Sequence, residues 1–232
     1  MSAQLFEQLS RSARAASENR RLLDAAGAVC LNLIGPLGAG KTTLLSAVAP
    51  RLCDKLRVAL VRAGPLGAYD AGRTPAGVPT VAAGIGGGAR FTALDLRAAL
   101  DRLDLPALDL VLVENTGALT AQTGTDLGEH VRVVLLSVPD GRAVLVRHPT
   151  MLHDAGMVVL TKYDLAATAR VDLAQLVHQV RRSNPRAEVI CTDTEGRVGV
   201  DRLAGWLLGY VRAQRFRPPK PAWELEPAGL PN

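Results

Sequence analysis

Seven short apolar runs recur along the chain, most of them followed by a stretch whose apolar residues fall at helical spacing. The runs are AVCLNLI (28–34), VALV (58–61), PTVAA (79–83), DLVLVEN (109–115), VRVVLLSV (131–138), GMVVLT (156–161) and AEVICT (187–192). Between them, LLSAVAPRL, LDLRAALDRL and VDLAQLVHQVRR place apolar side chains three and four residues apart, the period of a helix with one buried face. Residues 3–26 set Leu5, Leu9, Leu22 and Leu23 among charged positions and read as a helix, and a last helix falls around 199–214. Strands alternating with helices predict an α/β fold with a mainly parallel sheet and helices on both faces. The expected organisation is an N-terminal helical segment (1–27), one α/β domain (28–214) and a loose proline-rich tail (215–232).

Composition narrows this picture. The 232 residues suffice for a substantial core, and with 48% apolar but only 3% aromatic residues that core is built from Ala, Val and Leu. The net charge of +5 comes from scattered arginines, without the basic stripe and interleaved aromatics of a nucleic-acid reader, so no nucleic-acid partner is expected. Cys30, Cys53 and Cys191 are few, odd in number and far apart, which is the usage of a reducing compartment. The polar N-terminus lacks an apolar signal region, and no run approaches the roughly 20 apolar residues of a membrane span. A cytoplasmic location with no membrane association is the expectation.

The strongest local signal is GPLGAGKTT, Gly35 to Thr43, which follows an apolar run and opens a helical pattern. It matches G-x-x-x-x-G-K-[ST] in the context that motif requires. Gly35, Gly38 and Gly40, with Ala39 and Thr43, would turn backbone N–H groups inward around a phosphate at a helix N-terminus. Lys41 would neutralise the β- and γ-phosphates, and the Thr42 hydroxyl would serve Mg²⁺.

TKYD, Thr161 to Asp164, stands at the end of a later run and bears on the choice of base. The Asp164 carboxylate can accept from the N1–H and exocyclic amine of guanine, whereas adenine offers an acceptor at N1. Lys162 would lie over the ring, and Thr192 and Asp193 are placed to contribute backbone contacts. Such paired polar groups discriminate strongly, because the wrong base leaves them unmatched. GTP is the expected nucleotide, with an ATP-binding P-loop protein as the rival.

With these motifs in place, the chain resembles the HypB family, the GTPases that assist nickel insertion into [NiFe]-hydrogenases. The resemblance runs from about Asn19 to Leu208 through ENRRLLDAAGAVCLNLIGPLGAGKTTLL, DAGR (70–73), DLVLVENTGAL (109–119), LGEHVRVVLLSVPDG (127–141), RHPTM (147–151) and TKYDL. It implies a P-loop NTPase fold, a homodimer formed when GTP is bound, and a hydrogenase maturation factor or hydrogenase subunit as partner. It also implies that Glu114 in Glu114-Asn115-Thr116-Gly117 belongs to the magnesium switch. Where the family has Glu-Gly-Asp after the second strand, this chain is read as Ala63-Gly64-Pro65, leaving Thr42 and Glu114, with Asp70 in support, to hold Mg²⁺. Lys41, Thr42 and Glu114 are the residues expected to carry hydrolysis, which is expected to be slow.

The family's metal-binding Cys-His pair at the end of its glycine loop falls on Ala89-Arg90, and a later Cys falls on Ala121. Methyl groups and a permanent cation cannot ligate a soft divalent metal, so a nickel or zinc site is expected to be absent. The four histidines offer little substitute, and Glu129-His130 is read as a structural hydrogen-bonding pair. These losses keep a second reading open, a nucleotide-gated scaffold that binds a partner without transferring nickel. A small-molecule kinase on the same loop is a third.

Overall fold

In the computed structural model, residues 3–64, 75, 77–84, 90–115, 125–193 and 198–215 are described. The chain runs α1 (Ala3–Ala26), β1 (Val29–Ile34), α2 (Lys41–Cys53), β2 (Val58–Gly64), β3 (Thr80–Gly84), α3 (Ala93–Leu100), β4 (Leu110–Asn115), β5 (Val131–Ser137), α4 (Gly141–Arg147), β6 (Ala155–Thr161), α5 (Leu173–Ser183), β7 (Glu188–Thr192) and α6 (Val200–Arg215). The strands form one sheet in the order β3-β2-β4-β1-β5-β6-β7, and every pairing is parallel. β1 is central: the chain leaves it toward β2 and β3, returns through β4, then crosses to β5. Ligands of open parallel sheets bind at the carboxyl ends of the strands beside such a reversal.

The side chains of each strand divide between two apolar layers. Leu31, Leu33, Leu60, Leu112, Val133 and Leu135 pack with Leu44, Leu45 and Val48 of α2 and Leu203 and Leu207 of α6. The alternate residues face the other way. Cys30, Val61 and Val111 meet α1 and α3, while Val134, Val158 and Leu160 meet α4 and α5. Both faces are therefore covered, which is why the strands read as continuous apolar runs.

Helix α1 is fixed to this frame by a buried amide, Asn19, whose Nδ2 donates to Ala93 O at 2.8 Å and Leu127 O at 2.9 Å. Beneath it, Glu129 accepts from Asn32 Nδ2, Leu127 N and Arg132, and His130 Nδ1 accepts from Cys30 N at 2.9 Å. The other ring nitrogen of His130 stands 2.9 Å from Asp24. The acceptor role of Nδ1 places the neutral ring's proton on Nε2, facing that carboxylate. The Glu129-His130 pair is thus structural, as its sequence setting indicated.

Two local boundaries differ from the sequence reading. A seven-residue helix, α4, occupies GRAVLVR, which the apolar pattern did not single out. Strand β2 continues past VALV through Arg62 and Ala63 to Gly64, so Ala63 and Gly64 lie within the strand instead of following it. The extension is possible because Arg62, a charge in a buried strand, has a carboxylate opposite it.

Candidate phosphate and base site

The loop between β1 and α2 is shaped by close approach and by backbone conformations that suit glycine. A Cβ on Gly35 would stand 2.5 Å from Leu135 O, inside any real contact distance. Gly38 and Gly40 have φ of +79° and +85°, and Gly40 is the N-cap of α2 with no side-chain cap on the helix. The first amides of a 13-residue helix consequently face the loop without a side-chain acceptor, the arrangement that receives an anion. Ala39 is buried beneath the loop, and Thr43 points outward.

Lys41 lies at the first position of α2 with 7% of its surface exposed. Its Nζ donates to Gly35 O at 2.7 Å and Pro36 O at 3.0 Å, so the ammonium sits inside the curve of the loop. Burial pushes its pKa down to about 8, against the opposing pull of the Glu114 carboxylate. Thr42, one residue on, donates its hydroxyl to Glu114 Oε1.

Glu114 reaches this point because of strand periodicity. Leu112 faces α2, so Glu114 two residues later does too, one layer nearer the carboxyl edge. Its register partner in β2 is Arg62, on the same face, and Arg62 Nε lies 2.9 Å from Glu114 Oε2. The two groups form an ion pair inside the sheet. Both side chains are almost fully buried. A hydroxyl and a carboxylate oxygen that meet beside a phosphate loop fit a hard cation such as Mg²⁺ in donor type.

The other half of the site lies at the ends of β6 and β7, which pair Thr161 with Thr192. Thr161 Oγ1 donates to Ala39 O at 2.8 Å, linking the end of β6 directly to the phosphate loop. Lys162 follows with φ +57° and opens a single 3₁₀ turn, Tyr163–Leu165, that holds Asp164 exposed. Thr192 is buried, and Asp193 N donates to Val198 O at 3.0 Å.

Gly35, Gly38, Ala39, Gly40, Lys41, Thr42, Thr43 and Glu114 therefore gather at the ends of β1 and β4, and Lys162, Asp164, Thr192 and Asp193 at the ends of β6 and β7. Pro65, Asp70, Ala89 and Ala121 lie outside the described residues, while Arg90 is exposed just before α3. Among the described residues no group of three or more His, Cys, Asp or Glu could hold a metal ion. No described helix is long and apolar enough to cross a membrane.

Two residues escaped the sequence reading. The sequence shows Thr161 as a strand end, and its contact with the phosphate loop is visible only in the fold. For Arg62 the signal is the lone arginine in VALVRAG, since a charge in a buried strand requires a partner.

Comparison with known proteins agrees with this geometry. Residues 29–191 match the family model described as "CobW/HypB/UreG, nucleotide-binding domain". The chain is 31% identical over 205 residues to a protein of Methanocaldococcus jannaschii named "Probable hydrogenase maturation factor HypB", covering 88% of this chain and 93% of the relative. The crystal structure of the hydrogenase maturation factor HypB from Archaeoglobus fulgidus superposes with a TM-score of 0.80 at 28% identity, covering 87% of this chain and 99% of that one. HypB from Helicobacter pylori, solved in complex with nickel, shares the fold with a TM-score of 0.79 at 24% identity, covering 88% and 97%. A P-loop on a seven-stranded parallel sheet, matched over most of its length by these relatives, makes the chain a member of the CobW/HypB/UreG nucleotide-binding family, of the HypB type.

Proposed function

We propose that this chain is a GTP-binding hydrogenase maturation factor that changes its association state with the nucleotide. The observation that carries the reading is the convergence of Lys41, Thr42 and Glu114 at an uncapped helix N-terminus formed by the loop from Gly35. The amides of that loop receive the phosphates, and Lys41 neutralises their developing charge. Thr42 and Glu114, with Asp70 in support, would hold Mg²⁺, which would supply positive charge beside the phosphates. Lys162 and Asp164 read guanine, supported by Thr192 and Asp193. Water then cleaves the terminal phosphoanhydride slowly, giving GDP and phosphate. In the GTP state two copies associate, and a hydrogenase maturation factor or hydrogenase subunit is the partner served.

A second reading has specific support. The positions corresponding to the family's metal ligands carry Ala89, Arg90 and Ala121, and Arg90 is an exposed, permanently charged side chain. The chain would then gate a partner through nucleotide-dependent shape without carrying nickel itself.

Equilibration with Ni²⁺ or Zn²⁺ in the presence of Mg²⁺ and a non-hydrolysable GTP analogue, followed by sedimentation and metal analysis of the same sample, tests both points. A dimer with near-zero tight metal supports the gated module. Stoichiometric, GTP-dependent metal returns nickel delivery as the role. A monomer under all nucleotide conditions would count against the switch.

A further inference from the structure

Helices α4 and α5 lie on the same face of the sheet and leave a groove between them. They approach closely where α4 begins: a Cβ on Gly141 would stand 3.1 Å from a methyl of Leu176. Further along, the groove holds about 330 Å³ and is lined by Arg142, Leu145 and Val146 of α4 and by Gln179, Arg182 and Ser183 of α5. Val146 is 76% exposed. A lone exposed valine is ordinary, but its setting is not. The two helices carry Arg142, Arg147, Arg181 and Arg182 and no Asp or Glu. Among the described residues none of these four guanidinium groups has a hydrogen bond or an ion pair. An apolar floor beneath unmatched guanidinium groups suits an acidic segment with an apolar anchor. The groove has no aromatic side chain on which a base could stack.

A second cavity leads toward it. At the amino edge of the sheet, a crevice of about 550 Å³ is lined by Tyr210 of α6, by Ala155 and Gly156 at the start of β6, and by Asn184 and Arg186 just after α5. It therefore joins the layer of α6 to the end of α5. Helix α6 finishes at Arg215, whose guanidinium is bonded to Asp109 just before β4. Eight residues on, the sequence reads Trp223-Glu224-Leu225-Glu226, which holds the only carboxylate side chains after Asp201.

We propose that Trp223–Glu226 docks in the α4–α5 groove of its own chain, with the residues before it passing through the crevice. The reach suffices. From β4 to β6 is three strand spacings, about 14 Å, and the two helix layers are about 20 Å apart, a path of about 25 Å. Eight extended residues span up to about 28 Å. In the groove the indole covers Val146 and Leu145 and meets the guanidinium planes of Arg142 and Arg182, while Glu224 and Glu226 pair with the arginines. Such exposed pairs are individually weak, but the tether supplies an effective concentration of about millimolar, so the segment need bind only modestly. The docked segment ties α6 to α5 at the edge of the sheet opposite the phosphate loop. It is independent of the nucleotide site.

Tryptophan occurs only at positions 206 and 223, and Trp206 is stacked on Tyr210 within α6. The full chain labelled with 5-fluorotryptophan should therefore give two fluorine resonances, assigned with Trp223→Phe. The Trp223 signal should differ from that of a free peptide of residues 220–229. It should return to the peptide position in the double variant Arg142→Glu/Arg182→Glu, and move toward it in about 1 M salt, where screening shortens to about 3 Å. Both arginines are exposed and unpaired, so an unchanged Trp206 signal will show that the fold is intact. In Trp206→Phe, acrylamide should quench Trp223 at least about threefold less than in the free peptide, because a covered indole excludes the quencher. A Trp223 signal at the peptide position in the unaltered chain would overturn the proposal and leave the groove to a foreign acidic partner. Protection that survives the double charge reversal would also overturn it, by placing the segment elsewhere. Protection lost on about 100-fold dilution would assign the groove to the segment of a second copy and overturn docking within one chain.

Discussion

The lowered pKa of Lys41 makes nucleotide affinity and protein stability move in opposite directions with pH. The side chain is 93% buried and bonded only to two carbonyls, so its charged form is poorly solvated, and its pKa falls from 10.5 to about 8. That fall corresponds to about 3 kcal/mol of differential stabilisation between the protonation states. The sign follows from linkage. Between about pH 8 and pH 10.5 the unfolded chain keeps the Lys41 proton that the folded chain has lost, so the folded state without nucleotide gains stability as pH rises through this window. Phosphates reverse the environment. A neighbouring anion returns the ammonium to a pKa near or above its ordinary value, so binding above pH 8 must take up a proton. From pH 7.5 to pH 9 the affinity for GDP should therefore fall by roughly tenfold, and by more at higher pH. Calorimetric titration at several pH values, in buffers of differing ionisation enthalpy, measures both the affinity and the proton uptake. Guanine also begins to lose its N1 proton in alkali, so Lys41→Arg serves as the control, whose fixed charge removes the lysine contribution. Equal affinity at pH 7.5 and pH 9, with no proton uptake, would refute the argument.

Other outcomes follow from individual contacts. Asp164→Asn replaces the proposed guanine-reading carboxylate with an amide and should erase most of the preference for GDP over ADP in competition binding, and an unchanged preference would remove Asp164 from base recognition. Thr161→Val deletes the hydroxyl that reaches Ala39 O, leaving a buried carbonyl without that donor. It should lower unfolding free energy by about 1–3 kcal/mol in urea titration and speed GDP release in stopped-flow displacement. Asp109 is held below the usual carboxylate range by hydrogen bonds from Arg57, with Arg215 of α6 adding to the effect. Its contribution is complete above about pH 4 and drains away as pH falls toward its folded pKa. Asp109→Asn should accordingly lower the melting temperature near neutrality and flatten its decline below pH 4, and parallel melting curves for the two proteins would argue against the role.

Much of the fold was legible because a doubly covered parallel sheet writes itself as apolar runs, and all seven strands fall within a few residues of those runs. The errors have physical reasons. Helix α2 begins at Lys41, before the apolar pattern starts, since its first turn serves the phosphate loop and not the core. Helix α4 is short, commits Val144 as its buried anchor, and has no side-chain cap at Asp140, so neither period nor capping announces it. The sheet order was out of reach. Nothing in one sequence says that β4 inserts between β2 and β1, yet that insertion brings Glu114 to Thr42 and Arg62 to Glu114. The phosphate loop was legible because its function constrains glycine, lysine and threonine at fixed spacing. The ion pair was not, because its two halves are 52 residues apart in sequence and meet only through strand register.

The central claim is a guanine-nucleotide site built on Lys41. Its most direct test is calorimetric titration of GDP and ADP into the protein and into Lys41→Ala near neutral pH. The account predicts saturable one-to-one binding of GDP, ADP weaker by at least about 100-fold, and loss of GDP binding in the variant. Equal binding of the two nucleotides, or GDP bound by Lys41→Ala as tightly as by the unaltered protein, would contradict it.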